Sequence, residues 1–237
     1  MIVGIIGAME LELELLKDDL KLENKLEKSG MCFYVGYLEG VKVVVVKSGV
    51  GKVNAGICTQ ILVDKFEIDQ LIFTGVAGAI DSQLEIEDIV VSTDLIQHDV
   101  DATSFGPREL GEVPGLDKVS FEANPTLVDL AFTAGEKVLS SAANHVYKGR
   151  ILSGDQFISD KQKVDELKKD FGGLCTEMEG AAVAQVAYLN QLPFVIIRSI
   201  SDKADEEADI SFNKFAKIAA QHSYKIVISI LKNLISS

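Results

Sequence analysis

Four stretches of this 237-residue chain carry apolar runs rich in Val, Ile, Leu and Phe: MIVGIIG, VKVVVVK, QLIFTGVAG and PFVIIRSIS. A strand with one wet face alternates apolar and polar residues, whereas runs of this kind belong to a sheet covered on both faces. Helical patterns separate them, in VNAGICTQILVDKF, NPTLVDLAFTAGEKVLSS, Lys161 to Lys169 and EGAAVAQVAYLNQ, with a closing amphipathic helix from Ser211. LELELLKDDLKLENKL reads as a further helix on its Glu, Lys and Leu content. CFYVGYLEGVKVVVVKSG reads as two strands turning at Glu39-Gly40, and DIVVSTDLIQ and VYKGRILSG as two more. The rhythm predicts an α/β fold with a mixed or mostly parallel sheet, and ligands bound beyond the strand C-termini.

Nothing in the chain resembles a linker, a repeat or a low-complexity tract, so residues 1–237 are expected to form one domain. A net charge of −13 argues against a nucleic-acid or anionic-membrane partner, both of which need clustered Lys and Arg. The N-terminus lacks a basic leader and no apolar run is long enough to span a bilayer, which predicts a soluble, cytoplasmic protein. Cys32, Cys58 and Cys175 are few, scattered and set in core-like sequence, as buried reduced thiols are.

The first strand exits into GIIGAMELELELL, where Gly4 and Gly7 do not make the G-x-G-x-x-G dinucleotide turn. Glu10, Glu12 and Glu14 crowd the following helix start, where they would repel an anion, so the loop is expected to hold a carboxylate that does chemistry rather than a phosphate. SGVGKVNAG contains Gly51-Lys52 but has Val46 and Val53 where a phosphate-binding loop needs Gly and Ser or Thr, and reads as a strand-to-helix turn. QHDVD (His98, Asp99, Asp101) has ligand-type residues without a metal-spaced cluster and reads as a surface or interface loop, so neither metal nor cofactor is expected. DKADEEAD reads as a solvated acidic loop. What remains is a set of carboxylates at strand exits and helix starts: Glu12, Glu177, Glu179 and Asp202. Each has an ordinary structural use in capping or turning, but their joint placement points to a site.

GIIGAMELE, KSGVGKVNAG, TGVAGA, HDVDATSFG, SGDQFI, EMEGAAVA and RSISDKADEEADISF together resemble the 5'-methylthioadenosine/S-adenosylhomocysteine nucleosidases, in order and spacing, over nearly the whole chain. The resemblance implies a nucleoside phosphorylase-like three-layer sandwich, a central mixed sheet flanked by helices, in a homodimer. It would make Glu12 the base that activates water and Asp202 the acid that protonates the leaving adenine. Glu179 and the backbone of Met178 would bind the ribose hydroxyls, Phe157 would stack on adenine, and the backbone of Ile158 would read its edge. Gly78 would let the backbone approach the base, while Met9, Val50 and Phe212 would line the ribose and 5' group. Phe105 would close the partner's pocket, Arg198 would order Glu12 and the water, and Glu177 and Ser201 would complete the substrate-binding set. Val76 stands where many members have serine, which removes a hydroxyl from that loop.

The chemistry suits these groups. Breaking an N-ribosidic bond leaves an adenine anion and a ribosyl cation, so it calls for an acid, a base and an ionised carboxylate beside the sugar. Burial would raise the acid's pKa at Asp202, and the helix dipole would help Glu179 stay charged. The alternatives left open are a purine nucleoside phosphorylase, an aminodeoxyfutalosine nucleosidase and a non-catalytic adenosine-binding protein on the same fold.

Overall fold

The computed structural model describes residues 1–106, 108–140, 142–204 and 208–235, with the backbone only at 209–213 and 235. Among these residues ten strands form one sheet: β1 (Ile2–Gly7), β2 (Lys21–Lys28), β3 (Met31–Leu38), β4 (Val41–Lys47), β5 (Gln70–Ala79), β6 (Ile89–Gln97), β7 (Ser120–Glu122), β8 (Val146–Ser153), β9 (Cys175–Glu177) and β10 (Phe194–Asp202). Six helices cover it: α1 (Glu10–Asp19), α2 (Lys52–Phe66), α3 (Pro125–Val138), α4 (Lys161–Phe171), α5 (Gly180–Leu189) and α6 (Ala208–Ile235). The apolar runs are the interior strands. β1 lies between β4 and β5, parallel to both, and Val3, Ile5, Ile6, Val43, Val45, Ile72 and Phe73 are fully buried. Helices α1, α3 and α6 pack together with α6 over β5 and β10, while α2 packs on α5, which covers β6 and β8. No helix among the described residues is long and apolar enough to cross a membrane.

The sheet is mixed, as expected, and at one end it closes on itself. β5 pairs with β10, β10 with β6, β6 with β8, β8 with β9, and β9 returns to β5. The irregular registers at Ser92/Leu95 and Ile200/Asp202 supply bends of the kind that let a sheet curl. This closure brings the exits of β5, β8 and β10 together: Gly78 faces Thr176 and Asp202, and Ser153 faces Glu177.

The helix expected across residues 11–26 stops at Asp19. Residues 21–28 are instead the edge strand β2, exposed along its length and joined to β3 by a turn at Ser29 (φ 53°) and Gly30 (φ 74°). Pairing with β3 overrides helix propensity here, and the alternating Lys and Glu protect an unpaired edge. The hairpin at Glu39-Gly40 forms as read, with φ 48° and 82°. Cys58 and Cys175 are buried and Cys32 is partly exposed, so the third thiol departs from expectation. In the QHDVD segment Asp99 and Asp101 are exposed, as a surface loop requires, but His98 is buried, with its ring against Gly154.

Gly36 lies opposite Leu22, where the β2–β3 register slips, and a Cβ there would collide with the Lys21 carbonyl. Gly36→Ala is expected to lower unfolding stability by about 1–3 kcal/mol, measured by denaturant titration. Unchanged stability would show that the slipped edge has room to spare.

Candidate functional site

A cavity of about 350 Å³ opens where the strand exits converge, within the range of small-molecule sites. Its wall contains Met9, Val50, Gly78, Phe157, Ile158, Glu177, Met178, Glu179, Ser201 and Asp202 from the expected set. Ala8, Val76, Ala77, Gln156 and Thr176 also line it; the first four lie inside the motifs GIIGAMELE, TGVAGA and SGDQFI, and Thr176 directly precedes EMEGAAVA, so adjacency to the expected contacts is the signal that could find them. Among the described residues the wall carries no Lys or Arg side chain.

Glu12 sits just behind the wall and is buried. Its Oε2 accepts the Ala8 and Met9 N–H groups at 2.7 and 2.9 Å, which makes it the N3 residue capping its own helix. Burial pushes its carboxyl above the ordinary value, against the lowering pull of the Met9 N–H, Arg198 and the Ala8 and Val76 N–H groups. Its other oxygen lies over Gly75, whose missing Cβ would stand 2.7 Å from Oε1. The neighbouring acids do not share this role: Glu10 is exposed and paired with Lys17 and Lys47, and Glu14 is exposed. The crowd of three glutamates read from the sequence is one carboxylate in the site and two in solvent.

Asp202 repeats the arrangement three residues along β5. A Cβ on Gly78 would stand 2.8 Å from its Oδ1, so Gly78 makes room for this carboxyl, a role beyond the approach to a base that the sequence suggested. The register irregularity at Ser201 aims Asp202 at the cavity. Ser201 Oγ donates to Asp202 Oδ2 at 2.7 Å, and the Ala204 N–H donates to Oδ1 at 2.9 Å.

The helix dipole serves a different glutamate from the one expected. At the start of α5 it is Glu177 that accepts the Gly180 and Glu179 N–H groups, at 2.8 and 3.2 Å, together with the Ser153 hydroxyl and, at 2.5 Å, Arg198 Nη2. Both its oxygens are engaged, so Glu177 holds the site together rather than offering a free acceptor. Glu179 turns away to accept the Gly51 N–H at 2.7 Å. Burial and the adjacent Glu177 push its carboxyl up to about 8, so in the ligand-free protein it is not the standing anion that the helix start implied.

Arg198 is 1% exposed, lies 4.1 Å over the Phe73 ring, and is paired with Glu177, with Glu12 nearby but not bonded to it. Phe157 is half exposed at the cavity mouth and Phe105, in the Thr103–Phe105 turn, is 85% exposed and outside it. The side chain of Phe212 lies outside the described residues. Among the described residues no group of three His, Cys, Asp or Glu is placed to hold a metal ion.

The family described as the phosphorylase superfamily matches residues 2–232. A 5'-methylthioadenosine/S-adenosylhomocysteine nucleosidase from an Exiguobacterium species is 44% identical over 233 residues, 98% of both chains. Among solved structures, the nucleosidase of the same name from Neisseria meningitidis, in complex with methylthio-immucillin-A, has a TM-score of 0.92 at 39% identity, covering 98% of this chain and 99% of its own. The futalosine hydrolase of Helicobacter pylori has a TM-score of 0.90 at 33% identity, covering 98% of each.

The raised Glu179 carboxyl has a consequence for stability. Between 4.5, its ordinary value, and about 8 the folded protein holds a proton that the unfolded chain has lost, so stability falls as pH rises through that window. Glu179→Gln is expected to raise the melting temperature at pH 8.5 and to narrow the gap between pH 6 and pH 8.5. A gap as wide as in the parent would place the buried proton elsewhere.

Proposed function

Because this chain belongs to the 5'-methylthioadenosine/S-adenosylhomocysteine nucleosidases of the phosphorylase superfamily, we propose that it hydrolyses the N-ribosidic bond of those two nucleosides, and of 5'-deoxyadenosine, releasing adenine. The observation that carries the proposal is the pair of buried carboxyl groups seated on two glycines of one strand, Asp202 on the cavity wall and Glu12 beside the wall residues Ala8 and Met9. A binding protein has no need of a matched acid and base.

Adenine leaves readily only when its ring nitrogen N7 gains a proton, and Asp202 is the group assigned to deliver it, with Phe157 stacking on the base and the Ile158 backbone reading its edge. As the bond to C1' lengthens, the ribosyl group takes on oxocarbenium character. Water then attacks C1' and passes its proton to Glu12, whose burial makes it a stronger base than a solvated glutamate. Arg198 acts through Glu177, keeping the start of α5 and the neighbouring Glu12 in place. Glu179 and the Met178 backbone take the ribose hydroxyls. Hydroxyl donors favour the ionised form of Glu179, so binding of the sugar would displace its proton and leave a carboxylate beside the developing cation. Met9, Val50 and Phe212 line the 5' side.

The lack of Lys and Arg on the described wall disfavours phosphate as nucleophile, because a phosphorylase must hold that anion. The likeness to a futalosine hydrolase keeps aminodeoxyfutalosine as a further substrate of the same chemistry. The reading places the enzyme in the cytoplasm, in methionine salvage and removal of methyl-transfer by-products. It also makes it a homodimer: Val50, Val53 and Ile57 present an exposed apolar stripe at the start of α2, with Val53 72% exposed, and a patch of this kind needs a cover. Phe105 would reach from that interface into the partner's 5' pocket.

Adenine release from methylthioadenosine is expected in phosphate-free buffer containing a chelator. Activity only on adding phosphate would mark a phosphorylase, and loss in chelator would reveal a metal. Asp202→Asn is expected to bind the nucleoside yet lose about 10²–10⁴-fold in turnover, because an amide cannot deliver the proton. Retention of most of the rate would move the acid to another residue. Sedimentation is expected to show a dimer, and Phe105→Ala to raise KM more than it shifts dimerisation. A fully active monomer would end the shared-pocket reading.

A further inference from the structure

Two segments that reach the cavity, at Val50 and at residues 156–158, are tied to each other and to the segment that leads to Phe105 by a closed ring of polar contacts. Lys52, the first residue of α2, sends Nζ to Asp99 Oδ1 at 2.5 Å and to Gln97 Oε1 at 3.1 Å. The other oxygen of Asp99 accepts the Asp155 N–H at 3.0 Å, and Asp155 Oδ1 accepts the Lys52 N–H at 2.8 Å. Each residue therefore holds both of the others, and none of the three lines the cavity.

Asp99 lies at the surface through its exposed backbone, but the Lys52 and Asp99 side chains are only 17% and 21% exposed, so the pair is better shielded than an open surface ion pair, which contributes at most about 1 kcal/mol. Burial alone would raise the Asp99 carboxyl, yet it lies below its ordinary value because Lys52 and the Asp155 N–H outweigh that penalty. Gly51, which would bring a Cβ to 3.1 Å from Asp155 Oδ1, keeps the contact close, and the buried His98 ring wedges against Gly154 beside it.

The neighbours of the ring do the work at the cavity. Gly51 donates to Glu179 Oε1, Val50 lines the wall, and Gln156, Phe157 and Ile158 follow Asp155 directly. Asp99 leads into the turn that carries Phe105. We propose that Lys52, Asp99 and Asp155 form a latch of positioning residues that sets, from outside the cavity, the Gly51 N–H that holds Glu179 and the Phe157–Ile158 segment, and so governs affinity for the nucleoside. The geometry of the latch stands on its own; its effect on nucleoside affinity rests on the hydrolase reading above. Glu179 and Phe157 would hold sugar and base already in the ground state, and loosening the latch shifts them without removing the Glu179 carboxyl from the site, so it costs binding more than the chemical step.

The test compares Lys52→Met, Asp99→Asn, the double variant and Lys52→Arg with the parent. In the ligand-free proteins, hydrogen–deuterium exchange at Gly51, Asp155 and Phe157 is expected to rise together in both single variants. KM for methylthioadenosine is expected to rise about tenfold, the scale of one lost charge-assisted hydrogen bond, with kcat within about threefold. The double variant is expected to be no worse than the worse single one, since either cut opens the same ring, and Lys52→Arg to recover most of the affinity. Unchanged exchange at these three positions, or a fall in kcat and stability at constant KM, would overturn the latch. A parent protein that releases no adenine would sink the functional reading instead, and exchange would still decide the latch.

Discussion

Two missing methyl groups on one strand govern the site. Gly75 and Gly78 stand three residues apart on β5, and a Cβ on either would push into a carboxyl group, Glu12 on one and Asp202 on the other. The two acids come from opposite ends of the chain, Glu12 from the first helix and Asp202 from the last strand, so only the sheet can bring them together. Glycine weakens a strand interior, having no side chain to pack and more freedom to lose on folding. Here the strand is held between β1, β9 and β10, and the vacated space lets two buried carboxyl groups lie against the backbone.

Charge is distributed as tightly as space. Glu12, Glu177 and Glu179 are all buried near a single buried cation, Arg198. Unpaired charge in such a place is costly, and the pairing with Arg198 goes to one of the three. Glu177 takes Arg198 and the α5 N–H groups; Glu12 and Glu179 are left with backbone donors and are pushed up. The roles proposed for Glu12, as base, and for Glu179, as the group that meets the sugar, both draw on that division. The buried arginine thus acts on the chemistry at one remove, through the glutamate it neutralises.

Much of this was legible in the sequence because the interior strands are covered on both faces and cannot hide their Val and Ile runs. The cavity-lining residues were legible as motifs at strand exits, and ten of them meet at the cavity. The edge strand β2 was not, since an exposed strand has no buried face to imprint a pattern, and Lys, Glu and Leu serve helix and edge alike. Nor was the division of labour between Glu177 and Glu179, two residues apart. Which one caps α5 depends on where Arg198 and Ser153 arrive, and both come from distant strands. Gly75 is illegible for the same reason: a glycine in an apolar run shows its purpose only when the side chain filling its space is seen. The closed end of the sheet, read as a plain sandwich, is likewise set by long-range register.

Bare Cα atoms on β5 seat the two carboxyl groups to which the chemistry is assigned, and Gly75→Ala tests that seating most directly. The added methyl meets the flexible end of Glu12, so the carboxylate moves while the strand stays. Adenine release from methylthioadenosine by this variant, read beside its melting temperature, should fall by about 10²-fold, the usual consequence of displacing a reacting group by about 1 Å, in a protein that still folds. Turnover equal to the parent's, with the methyl accommodated, would contradict the account.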